Sequence, residues 1–255
     1  MAETYELWKS LMVSGQELPF WQEFYVKFYQ AFLENDRWLQ YLQGVGNTLV
    51  ITAMALAIGI LLGILVAAIR TAHDQQRPGK RNPLLGILNG ICQVYVTVIR
   101  GTPMMVQLLI MYFVVFANSR ENNLIGALTL GINSGAYTAE IIRGGLMALD
   151  PGQMEAGRSL GLNYLDTMTF IVIPQAFKAI LPALGNEFIV LLKDTSLITV
   201  IGGKELTHAA QAIYGRTWEQ MFPLMIVASM YLSLVLLLQW LLGILERRLR
   251  QGDRR

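Results

Sequence analysis

Residues 150–174 read DPGQMEAGRSLGLNYLDTMTFIVIP. This polar, helix-prone run lies between very apolar segments, and the fold is decided by reading outward from it. Asp150-Pro151 is a helix start: a capping carboxylate, then proline at the first helical position, where its missing N–H has no helical partner to lose. Gly161 is expected to close that helix in a left-handed cap. A second short helix is expected over 164–172, with Pro174 stopping it. Two short helices joined at a glycine make a rigid, angled hook.

The surroundings of the hook are those of a membrane protein. Of the 255 residues, 54% are hydrophobic and 15% charged, where a soluble domain carries about a quarter charged. Five runs hold no charge at all: 49–69, 82–99, 101–119, 122–139 and 222–245. About 20 apolar residues cross a bilayer as a helix, so the fold class is all-α integral membrane. The first twenty residues are polar and acidic, so no signal peptide is expected, and the first apolar run acts as an uncleaved anchor.

Taken in order, residues 1–43 carry six acids against three bases. A helix is expected from Pro19, with Phe20, Trp21, Phe24, Tyr25, Phe28, Tyr29 and Phe32 on one half of the wheel and Glu23, Lys27 and Glu34 on the other. That face is expected to lie flat in the outer membrane interface; the alternative is that it packs on the protein's own spans. The first span is expected over 45–70, followed by a basic loop, 70–81, that turns at Pro78-Gly79. Residues 82–118 exceed one straight span, and Gly101-Thr102-Pro103 can break or kink them; one long broken helix is expected, with two separate elements as the alternative. A third span covers 124–146. A fourth covers 175–201, interrupted by Pro182 and Gly185. A polar loop follows over 202–220, then a fifth span over 221–245. The organisation is thus an interfacial segment (1–43), a transmembrane domain (44–246) and a basic tail (247–255).

The bases orient these five spans. The 70–81 loop, the 143–178 segment and the tail hold twelve of the twenty Lys and Arg residues. Cytoplasmic loops collect such residues, so the N-terminus is expected outside, the C-terminus inside and the hook in the cytoplasm.

Six ionisable residues fall within or beside the spans: Arg100, Glu140, Arg143, Glu187, Lys193 and Asp194. Each would cost about 2.5–3.5 kcal/mol facing lipid, so each is expected to face a partner helix or a wet cavity. Glu140 and Arg143 can pair at i, i+3. Glu187 and Asp194 are seven apart and share a helix face. There they could receive a cationic ammonium group, or be neutralised by Arg100, Arg143 or Lys193.

The same residues exclude other classes. A net charge of +2 gives no reason to expect nucleic acid. Cys92 is alone, a small packing residue rather than part of a disulfide framework, and His73 and His208 lack metal-ligand spacing. No nucleophile–base set is evident. Gly202-Gly203-Lys204 is similar to the end of a phosphate-binding loop, but Ile198 stands where its first glycine belongs and Glu205 where Ser or Thr belongs. The chain is therefore expected to hold no cofactor and to bind no ATP itself.

The spacing Glu155-Ala156, Gly161, Ile171, Pro174 resembles the cytoplasmic coupling loop of ATP-binding-cassette importer permeases, whose pattern usually begins Glu-Ala-Ala where this chain has Gly157. Arg100-Gly101-Thr102-Pro103, Tyr137-x-Ala139-Glu140-x-x-Arg143-Gly144 and Lys193-Asp194-Thr195-Ser196-Leu197 resemble the polar-amino-acid, histidine/glutamine-type subfamily. The resemblance covers about residues 44–246. It implies a permease subunit of the bacterial plasma (inner) membrane, paired with a second permease chain, identical or related. It also implies two ATPase subunits that bind ATP and Mg, and an extracytoplasmic amino-acid-binding protein. ATPase coupling would fall to Glu155, Ala156, Gly157, Gly161 and Pro174. The rival readings are a stand-alone ion-coupled transporter, whose intramembrane carboxylates would hold the coupling ion, and a non-transporting membrane scaffold. The hook favours the permease reading, because a stand-alone transporter has no need of it.

Overall fold

The structure is a computed structural model and describes residues 2–76 and 82–251. Helices α1 (Ala2–Val13) and α2 (Phe20–Phe32) precede α3 (Arg37–Asp74). Then come α4 (Pro83–Gly101), α5 (Met104–Ile110) and α6 (Asn122–Met147). The short α7 (Gly152–Ser159) and α8 (Tyr164–Thr167) lead to α9 (Ile173–Asp194), and α10 (Leu206–Thr217) precedes α11 (Met221–Gln251). π-helical turns occupy Met111–Val115 and Met168–Val172, and a 3-10 segment occupies Thr195–Ile201.

Among the described residues, four helical stretches are long and apolar enough to cross a membrane: Glu34–Asp74, Pro83–Gly101, Tyr164–Ile201 and Met221–Leu249. The 26-residue α6 is long enough but less apolar, for a physical reason. It is walled in by α3, α4 and α9, and its buried residues are mostly small: Gly126, Ala127, Gly131, Ser134, Gly135, Ala136 and Ala139. In lipid, helices gain little from apolar bulk at their contacts and associate through close backbone approach. Gly59 and Gly63 on α3 lie against Ser134 and Thr138 of α6 in that way, and Gly131 on α6 lies against Ala55 and Ile58 of α3. A Cβ at Gly59 would lie 2.9 Å from Ser134 Oγ, and one at Gly131 would lie 2.7 Å from Ile58. The core formed around this pair includes Ile51, Ala55, Leu108, Leu130, Leu191 and Ile198.

Several boundaries differ from the sequence reading. The first span begins eight residues earlier, at Arg37, because the helix continues up to the α1–α2 hairpin. The 82–118 region is two helices, with Thr102 and Pro103 both extended between them. Pro182 and Gly185 do not interrupt the fourth span, since α9 runs unbroken through both. Helix-breaking residues are tolerated in membrane helices. Gly185 is a packing site, because a Cβ there would overlap Leu242 of α11. The helix changes character later, at Thr195. The expected polar loop over 202–220 instead contains α10, which buries Leu206, Ala209, Ala210 and Ile213 against Tyr41 of α3 and Val227 of α11.

The aromatic face of α2 is divided. Trp21, Tyr25 and Tyr29 meet Trp8 and Tyr5 of α1, and Phe24 meets Phe222 of α11 at 4.9 Å, while Phe20 is 82% exposed. Cys92 is buried and free, in keeping with a packing role. The expected turn at Pro78-Gly79, with Arg77, Lys80 and Arg81, lies outside the described residues, as does the end of the basic tail.

Candidate functional site

The hook forms from local sequence. The Asp150 Oδ1 accepts the Gly152 N–H at 2.8 Å, and Pro151 already has helical dihedrals (φ −52°, ψ −26°). Helix α7 ends as expected: Gly161 has φ +84°, the Gly161 N–H donates to the Arg158 carbonyl at 3.0 Å, and the Leu162 N–H donates to the Gly157 carbonyl at 3.1 Å. Those paired bonds make a Schellman cap, which satisfies carbonyls that the helix end would otherwise leave open. The Asn163 side chain then caps α8 through the Asp166 N–H. Gly157 is buried where α7 meets α8, and a Cβ on it would overlap the Thr167 side chain. The tip presents exposed Glu155, Ala156, Leu160 and Leu165, the two leucines 78% and 71% exposed.

Pro174 behaves differently from expectation. It does not stop a helix but sits in the first turn of α9. The preceding π-helical turn, in which the Ile173 N–H reaches back to the Met168 carbonyl, widens the helix just ahead of the proline ring,. The hook is therefore continuous with a membrane helix. A side-chain bond between Gln175 Nε2 and Gln153 Oε1, 3.0 Å, ties that helix back to α7.

Two charged groupings lie in the bundle. In the first, Glu140 bonds Arg70, and Arg100 and Arg143 each approach it at 3.8 Å. Arg143 also meets Asp74 at 3.4 Å. The expected Glu140–Arg143 pair is present, but the closest partner is Arg70, which the sequence reading puts at the junction of the first span and the basic loop, with no acid named for it. An arginine closing a 21-residue charge-free run was the available signal, since a charge at that depth has to find an acid,.

The second grouping is a cavity of about 300 Å³ lined by Thr102, Met104, Asn133, Tyr137, Glu187, Val190, Leu191 and Asp194. Glu187 and Asp194 do share a face and do open onto one space. Ser134 donates to Glu187 at 2.7 Å. Neither carboxylate has an ion-pair partner among the described residues. Arg100 lies over the ring of Tyr137, a cavity residue, at 5.2 Å, whereas Arg143 faces Asp74 and Glu140. The wall opposite α9 is the α4–α5 break. There the Gln107 amide donates to the Ile99 and Thr102 carbonyls, at 2.7 and 3.1 Å, and accepts from Asn133 at 3.0 Å. Proline frees backbone groups, and one glutamine supplies a partner for them. Gln107 was not singled out from sequence.

Among the described residues no group of His, Cys, Asp and Glu is arranged to hold a metal ion.

Comparison with known proteins agrees with this architecture. Residues 82–251 match the family described as "Binding-protein-dependent transport system inner membrane component". The chain is similar to the glutamine transport system permease protein GlnP of Escherichia coli (strain K12), 37% identical over 213 residues, covering 82% of this chain and 92% of that protein. It is also similar to the arginine transport system permease protein ArtQ of Bacillus subtilis (strain 168), 34% identical over 215 residues, covering 83% and 93%. A solved structure, "Crystal structure of an amino acid ABC transporter with histidines", aligns with a TM-score of 0.73 at 40% identity, covering 82% of this chain and 94% of that one.

Proposed function

The chain belongs to the binding-protein-dependent transport system inner membrane components, and from that premise we propose that it carries a polar amino acid through the cavity between α5, α6 and α9, driven by ATPase subunits seated on the hook. It is a multi-pass membrane protein and the permease subunit of an ATP-binding-cassette importer, a transport component rather than an enzyme. Its place is the bacterial inner membrane. The membrane is crossed five times, with α6 as the span that low hydropathy conceals, the N-terminus outside and the hook in the cytoplasm; the distribution of bases supports this. A binding protein delivers substrate at the outer face. Closure of an ATPase pair moves the hook, and because the hook runs into α9 through Pro174, the motion reaches the cavity wall.

The observation that carries this reading is the hook tip. A Schellman-capped corner holds Leu160 and Leu165 out in the open, next to Glu155. Two apolar side chains on a rigid polar corner form a ready-made knob for a complementary groove.

Glu187 and Asp194 give the cavity a negative wall. An amino acid's ammonium group matches one carboxylate, a cationic side chain would match the second, and Arg100, which lies over the cavity's Tyr137, would meet the substrate carboxylate. Basic amino acids therefore lead among the candidates. The test is uptake of labelled arginine, histidine and glutamine into proteoliposomes that carry the permease–ATPase complex, with ATP inside and binding protein outside. ATP-dependent uptake supports the reading. Uptake driven by an ion gradient without ATPase would instead support a stand-alone transporter.

A further inference from the structure

Glu205 is 1% exposed, and the transport reading gives it no task. Its carboxylate accepts four hydrogen bonds. The Thr199 hydroxyl and the His208 N–H (2.9 Å) donate to Oε1, and the Thr207 N–H (2.8 Å) and the Tyr231 hydroxyl (2.7 Å) donate to Oε2. An ionised carboxylate has about four acceptor sites, so this one is saturated, as a buried charge must be to persist. The donors come from three elements: the 3-10 segment, the first turn of α10, and α11. The neighbouring backbone extends the tie to two more helices. The Leu206 N–H donates to Thr48 of α3, and the Lys204 N–H and carbonyl both bond Asn123 of α6.

The element this knot restrains is unusual. A 3-10 turn is common at the C-terminal end of an α-helix, but it seldom exceeds three or four residues. Thr195–Ile201 is seven residues long and continues directly from Asp194, the last residue of α9 and part of the cavity wall. A 3-10 helix rises about 2.0 Å per residue against 1.5 Å for an α-helix, so rewinding this segment would shorten it by roughly 3–4 Å and change the angular phase of the residues before it. The Thr199–Glu205 bond holds the segment near its far end, and Gly202, at φ +75°, closes it.

We propose that Glu205 is a positioning residue for transport: by fixing the stretched 3-10 segment against α10 and α11, it sets where Asp194 stands in the cavity. This rests on the cavity reading above. Substrate fit then depends on a carboxylate that substrate never touches, and Tyr231 is the lever that aims it, because its hydroxyl shares the Glu205 Oε2 and lies 3.4 Å from Thr195 Oγ1.

The test compares Tyr231→Phe, Asp194→Asn and the double variant, each assembled with its ATPase and binding protein, by uptake per ATP hydrolysed. Tyr231→Phe removes one hydroxyl and leaves Glu205 three donors, so it is the mild probe; Glu205→Gln, which cannot accept from both backbone N–H groups in the same way, is the severe one. Tyr231→Phe should lower uptake per ATP by roughly tenfold, the scale set by a hydrogen bond to a charged group. It should add nothing in the Asp194→Asn background, because both changes act through the same side chain. Glu205→Gln should reproduce the defect in assembled complex. Multiplicative losses, or a Tyr231→Phe change that lowers only the thermal midpoint, would overturn the positioning role and leave the cavity reading standing. Wild-type uptake by Asp194→Asn would remove Asp194 from the cavity reading, and this inference with it.

Discussion

Gly157→Ala sets two effects of opposite sign against each other within the hook. The family pattern has Ala at this place, and Ala favours an α-helix over Gly by about 1 kcal/mol. In this chain, however, the new Cβ would overlap Thr167, which is fully buried. Thr167 cannot readily turn aside. It is β-branched and stiff at χ1, and its hydroxyl donates to the Asn163 carbonyl at 2.9 Å. Overpacking costs about 1–3 kcal/mol, and breaking that hydrogen bond adds about 1 kcal/mol. The overlap wins by about 1–3 kcal/mol, which corresponds to a roughly five- to 150-fold smaller population of correctly formed hook. The assay is the apparent Kd of the purified permease for its ATPase, which should rise by that factor. Thr167→Ala in the same background removes the obstructing atoms and should restore affinity. Wild-type affinity for Gly157→Ala, or no rescue by the second change, would refute the packing argument.

Three further outcomes are expected. In a Cys92→Ala background, a cysteine at Ser14 should react with an impermeant thiol reagent in intact cells and one at Leu160 should not; the opposite pattern would reverse the topology. Glu187→Gln and Asp194→Asn should each reduce uptake in assembled complex, and unchanged uptake in both would return the carboxylates to a structural role. The N-terminal hairpin should loosen in alkali. Burial pushes Tyr5 up to about 12 from 10.0, so the folded hairpin keeps a proton that the unfolded chain loses. The resulting stability is complete below about pH 10 and is lost as pH rises through about 12. Trp8 fluorescence should follow this transition, and Tyr5→Phe should alter it; identical titrations would exclude the mechanism.

The sequence revealed some elements more readily than others, for physical reasons. The hook was legible because Asp150, Pro151 and Gly161 act locally, through capping and a positive φ, and no distant residue is needed to read them. Pro174 and Pro182 misled because a proline's effect depends on what surrounds it: a π-turn prepares for the first, and Pro182 lies within an unbroken α9. Helix α10 was hidden by average polarity, although Leu206, Ala209, Ala210 and Ile213 follow the i, i+3, i+4, i+7 rule. Of the charged residues, Glu187 and Asp194 were placed together correctly because seven residues make two helical turns. The Arg70–Glu140 bond and the saturation of Glu205 depend on contacts between separate helices, which spacing along one chain does not encode.

The central claim is that the 150–174 hook carries the ATPase's motion into the membrane. Its most direct test is ATP-driven uptake by reconstituted complexes carrying Gly161→Val or Glu155→Lys, measured alongside co-purification of the ATPase. Gly161 stands at φ +84°, a conformation that costs a non-glycine residue about 1–3 kcal/mol and is least tolerable for a β-branched one. Glu155 is exposed beside the leucines of the tip. The account predicts a permease that still inserts but loses ATPase co-purification or substrate-stimulated ATP hydrolysis, and uptake with it. Both variants at wild-type uptake and wild-type co-purification would contradict it.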